Sequence, residues 1–251
     1  MSKGSFTVLT QNAWGGAPFW AKRRQLLARL LSELRPDIVG LQEIHASNVS
    51  GEGNQAAELA SLAGGYEAIF APGRVEPSGH CEGVALLVRA GARVVEQSVV
   101  PLSRDEGDSL DGPYPRVVLR AAVGPPETDA VVDVMVTHLS LSKRARLRTV
   151  PEICGLVASP VASDGCSVVM GDLNATPEDP SLATFGAAGW VDAWQELHGE
   201  ARGGTWPAGV PFRRIDYVFA QLRAGWRVAS CERAPVAGSD HVGLVVRMAR
   251  S

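Results

Sequence analysis

The hydrophobic positions at the start of the chain predict a strand, a helix and a second strand. Residues 6–11 and 38–41 are short, mainly apolar runs, as expected of buried strands. Between them, the leucines of residues 25–34 recur at helical spacing, and Pro36 follows where a helix is expected to have ended. This order of elements favours parallel pairing of the two strands.

The rest of the chain predicts mostly short strands. Five runs rich in β-branched residues, separated by turn residues, indicate antiparallel pairs at 66–70, 84–88, 94–100, 117–123 and 131–136. A helix is expected from about Lys143, with a kink or break at Pro151. Further strands are predicted at 167–170, 215–220, 226–231 and 242–248. About ten strands with few helices fit two packed sheets covered by helices, in an α/β fold of one domain over residues 1–251.

Composition narrows the class of protein. Hydrophobic residues make up 45% of the chain and charged residues 20%, which is enough for a sizeable core. The formal net charge of −3 argues against a nucleic-acid coat protein and is compatible with a local basic groove. No apolar run approaches the roughly 20 residues of a membrane-spanning helix. The chain start lacks a secretory pattern and the four cysteines are far apart, so we expect a cytoplasmic protein with reduced thiols.

Polar side chains of several chemical types stand at the ends of the predicted strands. Asn12 follows the first strand, and Gln42 and Glu43 follow the second. Four later strand ends carry His138, Asp172 with Asn174, Asp216, and Asp240 with His241. Each alone is compatible with an ordinary turn or a solvated side chain. Their joint occurrence predicts a ligand site, because sheet proteins build such sites at strand ends.

The residue types favour a metal ion bound by oxygen atoms. Glu43 emerges from an apolar strand, and a buried carboxylate needs a cation or hydrogen-bond donors. Carboxylate and carboxamide oxygens, which suit Mg²⁺ or Mn²⁺ better than zinc, are offered by Asn12, Glu43, Asp172 and Asn174. His138 and His241 are then interpreted as groups that transfer protons or stabilise charge.

Six short motifs follow one another in an order that carries a family resemblance. They are Gln11-Asn12-Ala13-Trp14-Gly15, Leu41-Gln42-Glu43, Thr137-His138-Leu139, Gly171-Asp172-Leu173-Asn174, Arg214-Ile215-Asp216-Tyr217 and Ser239-Asp240-His241. From about residue 6 to residue 248, the ordered set resembles the endonuclease/exonuclease/phosphatase superfamily. That superfamily includes pancreatic-type deoxyribonucleases, abasic-site endonucleases, neutral sphingomyelinases and inositol-polyphosphate 5-phosphatases. The resemblance implies a four-layer α/β sandwich of two mixed β-sheets flanked by helices.

The resemblance further implies hydrolysis of a phosphate ester with the help of Mg²⁺ or Mn²⁺. It implies that Glu43, with Asn12 beside it, binds the metal. It implies that Asp172 orients or deprotonates the attacking water and that Asn174 hydrogen-bonds the phosphate.

The resemblance also implies roles for the histidines. His241, held by Asp240, would supply positive charge or a proton to the transition state, and Asp216 and His138 would complete the phosphate pocket. From the residues alone, the carboxylate that supports His241 is either Asp240 or Asp216.

Two further residues resemble family positions through weaker local motifs. Glu82 stands where the deoxyribonuclease branch has a Glu that partners the histidine of the Thr-His motif, and Arg116 resembles a phosphate-facing Arg. A Glu at a strand edge and a solvated Arg are equally compatible interpretations.

Two stretches bear on the substrate. Residues 143–148 contain four cations, which fit either a contact surface for nucleic-acid phosphates or a solvated helix face, and we favour the helix face. Trp14, Phe19 and Trp20 crowd one loop, where they would stack on a base, insert into lipid or cap the core. We favour the core interpretation, because aromatic residues are mostly buried for packing.

The leading hypothesis is a nuclease-like phosphodiesterase that depends on Mg²⁺ or Mn²⁺. The alternatives are a phospholipid phosphodiesterase of the neutral sphingomyelinase kind and a phosphomonoesterase. An inactive binding module ranks last, because all of the family's catalytic residue types are present. The expected partner is a phosphate-ester substrate, with nucleic acid as one class. Membrane contact stays open, and no protein partner is implied.

Overall fold

A computed structural model describes residues 4–48, 50, 53–157, 164–223 and 225–250. Helices alternate with strands in the first third of the chain, and strands dominate the middle. In chain order the described elements are β1 (Ser5–Asn12), α1 (Trp20–Leu34), β2 (Ile38–Ala46), α2 (Gln55–Ala63), β3 (Tyr66–Val75), β4 (Cys81–Arg89), β5 (Arg93–Pro101), β6 (Val117–Gly124), β7 (Val132–His138), α3 (Lys143–Leu156), β8 (Cys166–Asp172), α4 (Pro180–Ala187), β9 (Val191–Asp192), α5 (Ala193–His198), β10 (Asp216–Leu222), β11 (Trp226–Arg233) and β12 (Leu244–Arg250).

The described strands form two mixed sheets of six strands each. One sheet has the order β11-β12-β1-β2-β4-β3 and the other has the order β5-β6-β7-β8-β10-β9. The predicted parallel pairing of the first two strands is confirmed, since β1 runs parallel to β2. In the second sheet β7 runs parallel to β8, and the other pairs are antiparallel.

Three hydrophobic clusters define the layers. The largest lies between the sheets and includes Val8, Ile38 and Met170. A second cluster packs α1 and α2 on the outer face of the first sheet, and a third packs α3 and α4 on the outer face of the second. Adjacent residues of β1, Val8 and Leu9, belong to different clusters, because successive side chains of a strand point to opposite faces. The predicted four-layer α/β sandwich is confirmed.

The prediction of a helix break at Pro151 is wrong. Helix α3 runs without interruption from Lys143 to Leu156, and Pro151 lies on its exposed side. Water can therefore satisfy the carbonyl that loses its N–H partner one turn earlier. Among the helices of the described ranges, none is long and apolar enough to cross a membrane.

Candidate active site

The predicted site residues converge in one cleft at one end of the two sheets. The carboxyl ends of the parallel pairs β1–β2 and β7–β8 lie there, and the antiparallel strands β10 and β12 begin there. The cleft has a volume of about 580 Å³. The predicted residues that line it are Glu43, Glu82, Arg116, His138, Asp172, Asn174, Asp240 and His241. Asn12 and Asp216 are fully buried behind this lining.

A β-bulge in β2 presents Glu43. Pairing between β2 and β4 is interrupted between Leu41 and Ile44, so Gln42 and Glu43 have no partner in β4. Glu43 has a φ of 54°, a left-handed conformation that is uncommon for a residue with a side chain. The prediction that Gln42 and Glu43 follow the strand is wrong, because β2 continues to Ala46.

The loop after β1 is fixed against this bulge. Gly15 donates its N–H to the Glu43 carbonyl at 3.1 Å, and a Cβ atom at Gly15 would lie only 2.0 Å from that oxygen. Gln55, the first residue of α2, donates to the Gly15 carbonyl at 3.0 Å and accepts the His45 N–H at 3.0 Å. The side chain of Gln55 therefore joins the loop to the strand segment that carries Glu43.

Asn12 orients two carboxylates. Its amide nitrogen donates to Glu43 Oε1 at 2.9 Å and to Asp172 Oδ2 at 3.1 Å. Its amide oxygen accepts the Trp14 N–H at 2.9 Å, which fixes the orientation of the amide. The amide oxygen keeps a second lone pair, so the bond to Trp14 is compatible with the implied role of Asn12 beside the metal, and the two donated bonds position the carboxylates.

Asp172, the last residue of β8, is buried among polar groups. Its Oδ1 accepts the Asn174 N–H at 2.9 Å. Burial raises the pKa of Asp172 and the negative charge of Asp216 raises it further, whereas the charge of His241 opposes the rise. A carboxylate with a raised pKa is well suited to accept a proton from water.

The carboxylate that holds His241 is Asp216. His241 Nδ1 lies 2.9 Å from Asp216 Oδ2, which contradicts the expectation that Asp240 holds this ring. Asp240 instead accepts the Trp206 indole N–H at 3.1 Å. The neighbouring side chains diverge because the Ser239 hydroxyl accepts the His241 N–H at 3.0 Å and bends the segment.

His241 is the cation of the site. Burial lowers its pKa, but the charge of Asp216, the hydrogen bond to Asp216 and the charge of Asp172 raise it more, to about 9. His241 Nε2 lies 3.7 Å from Asp172 Oδ2. The ring is therefore an imidazolium at neutral pH, with Nδ1 facing Asp216 and Nε2 on the side of Asp172.

His138 is a neutral acceptor. The Asn174 amide nitrogen donates to the Leu139 carbonyl at 2.9 Å and lies 3.1 Å from His138 Nε2, so this ring nitrogen accepts. Burial and the positive charges of Arg116 and His241 lower the pKa of His138 well below its usual value. Both N–H groups of the Asn174 amide are thus engaged, which disagrees with the implied role of donating to the phosphate. The side-chain oxygen of Asn174 is an acceptor that can receive a hydrogen bond from a water molecule.

Glu82 and Arg116 line the cleft without the partners that the resemblance implies. Glu82 Oε2 lies 3.9 Å from Arg74 Nη1 and 4.0 Å from His45 Nε2. In the part of the chain that the structure describes, no hydrogen bond or ion pair joins Glu82 to His138. The Arg116 guanidinium makes no hydrogen bond or ion pair with any described residue, so it is available for an anion.

The basic stretch at the start of α3 is mostly neutralised. Three of its cations pair with acidic side chains: Arg144 with Asp105 at 3.1 Å, Arg146 with Asp179 at 2.7 Å and Arg148 with Asp111 at 2.5 Å. The prediction of a solvated helix face is confirmed for Arg144, whose side chain is 75% exposed, and is wrong for Arg146, which is buried against its acidic partner. Among the described residues that line the cleft, the cations without an ion pair are Arg116 and Arg213.

The aromatic loop is only partly a core cluster. Trp20 donates its indole N–H to Glu58 at 2.9 Å. Trp14 lines the cleft and is 40% exposed, and Phe19 is 81% exposed. The core interpretation is wrong for Phe19 and for Trp14.

The donor set fits a hard divalent cation. Glu43, His138 and Asp172 each offer one ligand atom, and these atoms lie within 4.8 Å of one another. Burial raises the pKa of Glu43. Asn12 occupies one oxygen of Glu43 and leaves Oε2 available. With Asp216 also buried nearby, the acidic groups exceed the cations, and a divalent ion would offset that imbalance.

Sequence reasoning missed three residues that position this site. Besides Gln55, Arg23 of α1 donates to the carbonyls of residues 13, 14, 17, 18 and 238, which flank the cleft. Thr205 accepts the N–H groups of residues 215 and 216 at the start of β10. For Arg23 the sequence contains one indication of burial: this residue lies one helical turn before Leu27, on the buried stripe of α1.

Known proteins with similar sequences include one family and a bacterial relative of similar length. Residues 9–241 match the sequence profile described as the Endonuclease/Exonuclease/phosphatase family. The uncharacterized protein YbhP of Escherichia coli (strain K12) is 28% identical over 261 residues, which cover 95% of this chain and 97% of that protein.

Solved structures agree with the fold. An endonuclease/exonuclease/phosphatase from Beutenbergia cavernae superposes with a TM-score of 0.80 and 26% identity, covering 99% of this chain and 72% of that chain. The human Nocturnin catalytic domain, which contains a bound sulfate anion, superposes with a TM-score of 0.77 and 19% identity, covering 100% of this chain and 95% of that chain.

Proposed function

Because the chain belongs to the endonuclease/exonuclease/phosphatase family, we propose that it hydrolyses a phosphodiester with the help of Mg²⁺ or Mn²⁺. Family members are hydrolases that act on phosphoester bonds. The observation that carries the proposal is the cluster of Asn12, Glu43 and Asp172 beside the His241–Asp216 pair. The sulfate bound to the Nocturnin domain, a tetrahedral anion like phosphate, supports a site of this chemistry on this fold.

Glu43 is the residue that would hold the divalent ion, with Asn12 fixing its orientation. When bound, the ion neutralises charge on the phosphoryl oxygens. Asp172 accepts the proton of the attacking water, and its raised pKa matches that task. The acceptor oxygen of Asn174 helps to orient the same water.

His241 stabilises the negative charge that develops on the phosphoryl group. The Nδ1 atom of its imidazolium is held by Asp216, which leaves the N–H at Nε2 for a phosphoryl oxygen or for the leaving group. Arg116, which lines the same cleft, adds a second positive charge near His138. The His241 donor is fixed by Asp216 before the substrate arrives, so little reorganisation of this group is needed in the transition state.

A phosphodiester fits better than a phosphomonoester because the cleft is open. The cleft continues past Arg116 into a neighbouring pocket, so both ester groups of a diester have space. A phosphomonoester carries an additional negative charge, whereas the unpaired cations of the described lining are only Arg116 and Arg213.

The second candidate is a phospholipid phosphodiesterase. Exposed apolar side chains favour it: Trp14 and Leu141 line the cleft, and Phe19 lies in the loop that begins at Trp14. Such residues insert readily into the boundary between headgroups and acyl chains.

A cytoplasmic location also remains part of the proposal and is supported by four free cysteines.

A metal-dependent substrate panel tests the proposal. The panel contains bis(p-nitrophenyl) phosphate, single- and double-stranded DNA, RNA, sphingomyelin vesicles and p-nitrophenyl phosphate, each with Mg²⁺ and with Mn²⁺. We expect turnover of phosphodiesters and little turnover of the monoester. Turnover of the monoester alone would replace the proposal with a phosphatase, turnover of vesicles alone would favour the lipid enzyme, and inactivity on every substrate would favour a binding module.

A further inference from the structure

A second pocket, with a volume of about 280 Å³, opens beside the catalytic cleft. It lies between the β3–β4 hairpin and the segment 111–116 that precedes β6. Glu82, Arg116 and His138 line both the pocket and the cleft. A group esterified to a phosphate in the cleft therefore reaches the pocket without crossing a barrier.

One wall of the pocket is formed by two planar side chains that contact each other. The Arg74 guanidinium lies over the Tyr114 ring, with Cζ 5.7 Å from the ring centroid. Glu76 holds Arg74 through an ion pair at 2.7 Å. Pro113 and Pro115 flank Tyr114, and their fixed φ angles restrict the backbone that carries the ring. We call Arg74 and Tyr114 the stacked wall.

The charges of the pocket are balanced except at its junction with the cleft. Asp111 pairs with Arg148 at 2.5 Å, and Arg74 pairs with Glu76 and lies 3.9 Å from Glu82. Arg116, at the junction, has no ion-pair partner among the described residues. The junction thus suits the scissile phosphate, whereas the interior suits an uncharged group.

We propose that this pocket binds a nucleobase of the substrate, which lies against the stacked wall while Arg116 contacts the phosphate. The inference rests on the proposed phosphodiesterase function and narrows its substrate class to nucleotide esters. Guanidinium and tyrosine side chains each have a planar face of the kind on which bases stack. A second phosphate inside the pocket would meet Glu82 without a free cation, and a quaternary ammonium group at the junction would be repelled by the unpaired charge of Arg116.

The test compares two ligands that differ only in the base. Thymidine 5′-phosphate and 2-deoxyribose 5-phosphate are titrated into the protein by calorimetry in the presence of Mg²⁺. We expect the wild type to bind thymidine 5′-phosphate about tenfold more tightly, as one stacked base typically contributes. Tyr114→Ala should remove most of this difference without changing the affinity for deoxyribose 5-phosphate, and Tyr114→Phe should keep it.

Phe212→Ala is the matched control, because it removes an exposed aromatic ring that does not line the pocket. It should leave both affinities unchanged. Equal affinities in the wild type, loss of both affinities in Tyr114→Ala, or no binding of either ligand by a protein that hydrolyses phosphodiesters would overturn the inference. A base-dependent difference in a protein that hydrolyses no phosphodiester would instead refute the proposed function and leave the pocket assignment standing.

Discussion

At the scale of single residues, two buried carboxylates and one half-buried carboxylate lie near one imidazolium. Glu43, Asp172 and Asp216 lie around His241, and the pKa of both Glu43 and Asp172 is raised by burial. Such an arrangement is unfavourable for folding alone, since unpaired buried charge costs several kcal/mol. It is useful for catalysis, because it gives a base and a cation at the same pH.

The first prediction concerns these two groups. Asp172→Asn removes the proton acceptor with little change of shape, and His241→Ala removes the cation. Each should lower kcat for a phosphodiester by about 10²-fold or more, as the loss of a positioned acid–base group does. Steady-state kinetics check this, with the exposed Asp129→Asn as the matched control. Near-wild-type kcat in either active-site variant would mean that the assigned residue is wrong.

The second prediction concerns the pH dependence of activity, which tests whether Asp216 is the partner of His241. Asp216 raises the pKa of His241 to about 9, so the wild type should keep its cation, and its activity, up to about that pH. Asp216→Asn removes the negative charge and turns the charge-assisted hydrogen bond into a weaker neutral one, which lowers the pKa of His241. The alkaline limb of kcat/KM should therefore move to lower pH.

Asp240→Asn provides the comparison for that pH profile. Asp240 raises the pKa of His241 only through its charge, so this variant should move the alkaline limb less than Asp216→Asn does. A larger shift in Asp240→Asn, or an unmoved limb in Asp216→Asn, would contradict the pairing.

At the scale of secondary-structure elements, helix α2 positions Glu43 from outside the sheet. Its first residue, Gln55, bonds to the loop at Gly15 and to the backbone of His45, on either side of the bulge. The bulge holds Glu43 in a left-handed conformation that costs on the order of 1 kcal/mol and persists only where its surroundings enforce it. Gln55 therefore acts as a positioning residue.

The third prediction follows from these contacts. Gln55→Ala should weaken the affinity for Mg²⁺ by about tenfold, as the loss of a group that orients a metal ligand typically does. Calorimetric titration with Mg²⁺ checks this, and Gln55→Glu should lose less because it still accepts the His45 N–H. Gln97→Ala, on an exposed strand position, is the control. Unchanged Mg²⁺ affinity in a folded Gln55→Ala protein would remove Gln55 from the site.

The sequence predicts the positions of most strands, but it does not predict the β-bulge within β2 or the helix α2. Runs such as 6–11 and 131–136 correspond to β1 and β7, because periodic apolar burial is a local pattern. The bulge at Glu43 is invisible to that pattern, since its partners Gly15 and Gln55 are distant in sequence. Helix α2 was missed as well, although Asn54, which accepts the Ala57 N–H at 2.8 Å, is a typical N-cap residue.

The identities of the site residues were more predictable than their contacts. Polar residues at strand ends could be grouped because neighbouring strands end at one edge of a sheet. The choice of Asp216 over Asp240 depends on the bend at Ser239, which the residue order does not reveal.

At the scale of the whole molecule, the distribution of charge limits nucleic-acid binding. The net charge is −3, and the cations at residues 144, 146 and 148 pair with acidic side chains. The cleft offers two cations without ion pairs in the described part of the chain, Arg116 and Arg213. The molecule should therefore contact few phosphates at a time.

The fourth prediction concerns the salt dependence of DNA binding. Two phosphate contacts give a log–log slope of roughly 1.4 for single-stranded DNA and roughly 1.8 for duplex DNA. Measured with Ca²⁺ in place of the catalytic ion, binding should show such a slope in the wild type and in Arg144→Gln/Arg148→Gln. Arg116→Gln should reduce the slope by about one contact. A slope of about four or more that falls in the Arg144/Arg148 variant would show that the start of α3 binds phosphate after all.

The most direct test of the central claim is the metal dependence of phosphodiester hydrolysis, measured beside Glu43→Gln. The protein is stripped with a chelator, and turnover of bis(p-nitrophenyl) phosphate is followed while Mg²⁺ or Mn²⁺ is added back. Since Glu43 is a half-buried carboxylate with a free oxygen at the cleft, we predict no turnover without metal and full recovery in the wild type. Glu43→Gln should need about tenfold more metal or more, and reach a lower plateau. Full turnover by the stripped protein, or the same metal requirement in Glu43→Gln as in the wild type, would contradict the account.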